Sequence, residues 1–142
     1  MKTSSNRFNR VMIIDDTQID RYIAKHILVK YDFSNELVEF DMATKAMAYL
    51  HQIKDQPELW PELILLDIRM PEMDGFQFLE KFSELYSAYK INCDVVILSS
   101  SLDPKDHERA EKFKQIKKFI NKPINKIHLE EILTTCTRVS GN

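Results

Sequence analysis

Five polar residues of this chain each stand where an apolar run stops. Asp15 and Asp16 follow VMII, Asp67 follows LILL, Ser99 follows VVIL, and Lys122 follows KKFIN. A carboxylate at the end of an apolar run is costly to bury, so its placement asks for a use. Three carboxylates brought together repel one another and raise their own pKa values unless a cation intervenes. Hard carboxylate oxygens select Mg2+ or Ca2+ over soft metals, and a small protein ligand set with open positions favours Mg2+. Beside such a metal, a lysine ammonium would help neutralise the oxygens of an incoming phosphoryl group, with an acid in line as the nucleophile. Asp67 suits that role because a rigid apolar run carries it, which leaves Asp15 and Asp16 to hold the metal. Taken alone, Asp16 reads equally well as the cap of the helix that follows it.

The elements that must position these residues are legible as alternating runs. VMIIDD (11–16), ELVEF (36–40), LILLD (63–67), CDVVILSSS (93–101) and KKFIN (117–121) read as strands. Between them, helical spacing places Ile19, Tyr22, Ile23 and Ile27 on one expected core face. Ala43, Ala46, Met47 and Leu50 form a second stripe, and Phe78, Leu79, Phe82, Leu85, Tyr86 and Tyr89 a third. A fourth helix, around KDHERAEKFKQ, offers little beyond Ala110 and Phe113 and is expected to pack lightly. Leu129, Ile132, Leu133 and Cys136 mark a closing helix. Thr17 with Asp20 resembles a capping box, Asp74 is a further cap, and Asp103-Pro104 reads as a cap followed by a first-turn proline. KDQPELWP (54–61), with two prolines, is a loop. Five strand–helix units with near-continuously apolar strands imply an α/β fold, a doubly wound five-stranded parallel sheet with helices on both faces. In such sheets the carboxyl ends of the strands form the crevice, and all five polar residues collect there.

Composition narrows the partners. The 142 residues, 44% hydrophobic, suit one domain over 1–142 with a short polar N-terminal tail. Twenty basic against 22 acidic residues leave a net charge of −2, so nothing points to direct nucleic-acid binding. The N-terminal MKTSSNRFNR has no apolar stretch for a signal peptide, and no run approaches membrane-spanning length. The expectation is a soluble, cytoplasmic chain whose Cys93 and Cys136 are buried thiols rather than a disulfide. The histidines, His26, His51, His107 and His128, are scattered without metal-ligand spacing.

Taken in order, IIDD, LILLDIRMPEMDG, VILSS and KP resemble the receiver domain of bacterial two-component response regulators, of the stand-alone chemotaxis type. The likeness covers about residues 8 to 138. It implies that Asp67 is the phosphoacceptor, forming a 4-aspartylphosphate. It also implies that Asp16 ligates Mg2+ directly, Asp15 does so through water, and the backbone carbonyl of Arg69 is a further ligand. Ser99 matches the switch hydroxyl, Lys122 the phosphate-pairing lysine ahead of a cis peptide to Pro123, and Phe119 the aromatic switch position. The implied partners are a sensor histidine kinase or histidine phosphotransfer protein and a downstream protein target, with no membrane contact. Only a few residues follow the closing helix, so the expected output is protein contact, relay to another histidine, or competition for phosphate. The implied role is signalling phosphoacceptor, not an enzyme acting on outside substrates.

This chain departs from that pattern between the fourth helix and fifth strand, where KFKQIKKFI lacks the usual glycine. Arg69 and Ser101, each two residues beyond a site residue, can face the phosphoryl group; Arg69 reads equally well as a residue that shields or pairs with it and as a solvated surface arginine. Three alternatives stand beside this one. An aspartate-nucleophile phosphatase would carry an acid two residues after the nucleophile, where Arg69 stands. A flavodoxin-like flavin binder would need a phosphate-cradling loop where DDTQID lies, and a non-phosphorylated receiver would be expected to lose a key residue.

Overall fold

The computed structural model describes residues 7–100 and 103–136. Ser101, expected in the fourth strand, and the ends of the expected 1–142 domain, residues 1–6 and 137–142, lie outside them. Five strands form one parallel sheet: β1 (Phe8–Ile14), β2 (Ser34–Phe40), β3 (Leu63–Leu66), β4 (Asp94–Ser99) and β5 (Ile116–Asn121). Their order is β2-β1-β3-β4-β5, so the winding reverses between β1 and β3. Five helices connect and follow them: α1 (Gln18–Lys30), α2 (Ala43–Gln52), α3 (Gly75–Tyr89), α4 (Pro104–Ala110) and α5 (Lys126–Thr135). A short 3-10 turn, Pro57–Leu59, lies in the proline-bearing loop.

The alternation of side chains along each strand divides the core in two. Met12, Ile14, Ile64, Leu66, Val95 and Ile97 face one cluster with the stripes of α2 and α3. Val11, Ile13, Leu63, Leu65, Val96, Leu98 and Ile120 face the other, with Ala24, Leu28, Leu129 and Ile132. Burial on both faces is why β1, β3 and β4 read as unbroken apolar runs. The edge strand β2 is only half-buried. Cys93 and Cys136 are buried within this core as thiols rather than a disulfide, as expected. Among the described residues, no helix is long and apolar enough to cross a membrane.

Helix α1 corrects the sequence reading. Ile19 and Tyr22 are 59% and 63% exposed and Ile23 is exposed too, while Ala24 and Leu28 are the buried residues. Periodicity reveals a stripe but not what it faces. Here the side turned to the sheet edge is polar: Arg21 donates to the Asp15 carbonyl (2.9 Å) and Asp20 reaches the site. Thr17 occupies the N-cap position but makes no side-chain cap bond. Asp74 does cap α3, in a reciprocal box with Gln77, and Asp103 caps α4 by accepting from the Lys105 N–H.

Helix α4 is seven residues long, and only Asp106 and Ala110 are buried. Side-chain links tie it down: Asp106 to Arg69 (2.7 Å), Arg109 over the Phe76 ring (4.1 Å to the centroid) and His107 stacked on Phe119 (3.7 Å between centroids). The glycine-free loop before β5 closes through tight turns, Phe113 N–H to the Ala110 carbonyl and Ile116 N–H to the Phe113 carbonyl (both 3.1 Å). Among the described residues, positive φ occurs at Asp32, Glu72 and Lys90, none in that loop, so glycine is not required there.

Candidate functional site

The sheet ladders themselves place the acids. The Asp15 N–H donates to the Phe40 carbonyl (3.1 Å) and the Asp67 N–H to the Ile14 carbonyl (2.9 Å), which fixes both residues at the reversal between β1 and β3. Asp15 and Asp67 are buried and Asp16 is exposed. One carboxylate oxygen from each of Asp15, Asp16 and Asp67 lies within 4.8 Å of the others. Ser99, the last residue of β4, is buried, and its carbonyl accepts from the Lys122 N–H (2.9 Å). The Lys122-Pro123 peptide is cis. Lys122 Nζ lies 2.7 Å from Asp15 Oδ2, 2.8 Å from Asp20 Oδ2 and 3.3 Å from Asp67 Oδ1.

These charges act on one another. Burial, then the neighbouring Asp15 charge, raises the Asp67 carboxyl to about 6, although Lys122 pulls the other way. Burial works against the Lys122 charge too. Hydrogen bonds to Asp15 and Asp20 and the Asp67 charge outweigh it and hold the ammonium well above the ordinary lysine range. Without a further cation, Asp67 therefore holds its proton to a higher pH than an ordinary carboxylate, up to about pH 6, and a protonated carboxyl is a poor nucleophile.

The donor set fits a hard divalent cation, with three carboxylates offering oxygen only. The loop leaving Asp67 adds to the fit. Among the described residues, the Ile68 and Pro71 carbonyls accept from Gly75 and Met73 N–H (both 2.8 Å), while the Arg69 carbonyl takes no backbone hydrogen bond. Gly75 is needed at the point where this loop returns. A Cβ there would lie 2.8 Å from the Asp67 carbonyl oxygen and 2.9 Å from Ile68 Cα, both backbone atoms that cannot swing aside.

The structure thus brings together Asp15, Asp16, Asp67 and Lys122, with Ser99 at the end of the adjacent strand. Phe119 is not in the cleft. It is half-buried on β5, level with Ile97, and stacks on His107. The Arg69 guanidinium bonds Asp106 (2.7 Å), and among the described residues it makes no hydrogen bond to Asp67. The buried Asp106 carboxylate on α4 holds the Arg69 guanidinium here.

Two residues escaped the sequence reading. Asp20 was read as half of a capping box with Thr17, and nothing in its local spacing marked it as a partner of Lys122. Asp106 sits in a polar stretch that reads as a solvated face, and nothing local reveals its burial.

Comparisons with known proteins agree with this fold. The family description "Response regulator receiver domain" matches residues 11–134. The two-component response regulator ORR1 of Oryza sativa subsp. japonica is 28% identical over 103 residues, covering 71% of this chain and 44% of that protein. A solved structure of a two component response regulator from Cytophaga hutchinsonii superposes at TM-score 0.82 with 26% identity, covering 90% of this chain and 96% of that one. The phosphorylated cyanobacterial phytochrome response regulator RcpA superposes at TM-score 0.67 with 27% identity, covering 88% of each chain. The chain spans less than half the length of the curated relatives it matches.

Proposed function

The chain belongs to the receiver-domain family of two-component response regulators, and from that premise we propose that it accepts a phosphoryl group from a phosphohistidine on Asp67. What carries this reading is one observation: the buried Asp67 carboxylate shares a cleft with two further carboxylates and lies 3.3 Å from the Lys122 ammonium. The donor is a sensor histidine kinase or histidine phosphotransfer protein. In the transfer, an Asp67 oxygen bonds to phosphorus as the P–N bond to the donor imidazole breaks, and the electron pair returns to the ring nitrogen. Lys122 pairs with a phosphoryl oxygen, and Ser99 offers a hydroxyl at the adjacent strand end.

Asp15, Asp16, Asp67 and the Arg69 carbonyl would hold Mg2+, which supplies neutralisation of the carboxylates and of the phosphoryl oxygens when bound. Of the exposed Ile19, Tyr22 and Ile23 on α1, Ile23 lines a cleft with Asp20, Lys122, Pro123 and Ile124. An apolar helix face beside the acceptor suits a donor helix laid against α1. On the far side, α4 and Phe119 form the surface that changes for a downstream protein, because α4 is short and held by few links. The position two residues after Asp67 is Arg69, not an acid that would protonate a leaving group, so the role is acceptor rather than phosphatase.

The test is incubation with phosphoramidate and Mg2+, read by intact mass. One phosphoryl adduct, absent with chelator and absent in Asp67→Asn, is the expected result. An adduct that survives the substitution overturns the assignment, and steady phosphate release from p-nitrophenyl phosphate would instead mark a phosphatase.

A further inference from the structure

Lys122 has three N–H donors and three carboxylate neighbours, and only two of those neighbours belong to the cation cluster. The third is Asp20, on the first turn of α1 and 102 residues away from Lys122 in sequence. Its side chain is 31% exposed, yet it bonds the lysine at 2.8 Å, shorter than the 3.3 Å to Asp67. The Lys122 distances bound the separation of Asp20 Oδ2 and Asp67 Oδ1 at about 6 Å. A charge at Asp20 is therefore felt at the acceptor oxygen, in a cleft that is partly shielded from water.

We propose that Asp20 is a positioning residue that anchors Lys122 from α1 and shares its charge with the phosphoryl group. This role rests on the phosphoacceptor reading of Asp67. When Asp15 and Asp67 turn to a cation, Asp20 stays outside that cluster and keeps the ammonium in the cleft. The same carboxylate adds negative charge, which draws in a divalent cation and repels the phosphoryl dianion. Asp20 thus favours loading of the cation and limits how long the phosphoryl group is held.

The two effects have opposite signs, which separates them from a general loss of structure. Asp20→Asn keeps a hydrogen-bond acceptor for Lys122 and removes the charge. It should weaken Mg2+ binding by about threefold to tenfold, measured by calorimetry on the unphosphorylated protein. It should lengthen the lifetime of the phosphoryl adduct by a similar factor, measured by intact mass after the phosphodonor is removed at saturating Mg2+. Asp20→Ala, which also removes the anchor, should be phosphorylated more slowly than Asp20→Asn at saturating Mg2+. Asp20→Asn with both quantities within twofold of wild type, or with both weakened together, overturns the proposal. A wild-type chain that takes no phosphoryl group overturns the acceptor reading and this role with it. A normal wild-type adduct with unchanged lifetime in Asp20→Asn overturns the Asp20 role alone.

Discussion

Removing the charge of Asp67 should make the metal-stripped protein more stable. Asp67 is 6% exposed, and its carboxyl is raised from 3.8 to about 6, first by burial and then by the Asp15 charge. Between about pH 4 and 6 the folded chain holds a proton at Asp67 that the unfolded chain has released, so stability falls as pH rises through that window. Above it, the ionised carboxylate costs the fold about 3 kcal/mol, at 1.36 kcal/mol for each pH unit between the two values. Asn has nearly the same shape and keeps an oxygen for the Lys122 hydrogen bond, but it does not ionise. Allowing for a weaker bond to Lys122, Asp67→Asn should gain roughly 2 kcal/mol at pH 7.5, or about 6 °C in Tm for a domain of this size. The assay is urea unfolding in excess chelator from pH 4 to 8, followed by fluorescence of the buried Trp60. The wild-type and variant curves should meet near pH 4 and separate above pH 6. A gap that does not change with pH, or a variant less stable at pH 7.5, refutes the electrostatic reasoning. Adding Mg2+ should stabilise the wild type more than the variant and narrow the gap.

Other outcomes follow from the same geometry. Gly75→Ala should cost about 1–3 kcal/mol in urea unfolding and slow phosphorylation by small donors, because its Cβ displaces the Asp67 carbonyl. Arg69→Ala should destabilise more than Asp106→Asn, since it leaves a buried carboxylate without this guanidinium, whereas the reverse change leaves an arginine that is 60% exposed. Paired unfolding curves decide that order. Tyr22→Asp should slow transfer from a histidine-phosphorylated donor roughly tenfold while leaving phosphorylation by phosphoramidate unchanged. Equal slowing with both donors would remove α1 as the docking face.

The fold was legible because the strands are buried on both faces and so appear as bare apolar runs. The ends of those runs mark the sheet edge, which is how Asp15, Asp16, Asp67, Ser99 and Lys122 could be gathered without a structure. What local pattern does not carry is side-chain pairing across long separations. Asp20 meets a lysine 102 residues away and Arg69 meets an acid 37 residues away, and both acids have ordinary local explanations as a cap or a solvated face. The outward stripe of α1 failed for a related reason. Its Ile19, Tyr22 and Ile23 have the spacing of a core face, but the polar contacts of Asp20 and Arg21 decide which way the helix turns. Phe119 was placed correctly on its strand, yet its stacking on His107 depends on where α4 lies.

The central claim is that Asp67 itself takes the phosphoryl group. An acyl phosphate is reduced by borohydride to an alcohol, which converts the acceptor aspartate to homoserine. The measurement is peptide mapping after treatment with phosphoramidate and Mg2+ and then borohydride. Homoserine at position 67, absent when Mg2+ is chelated, is the predicted result. Homoserine at position 15, 16 or 20, or a phosphoryl adduct inert to borohydride, contradicts it.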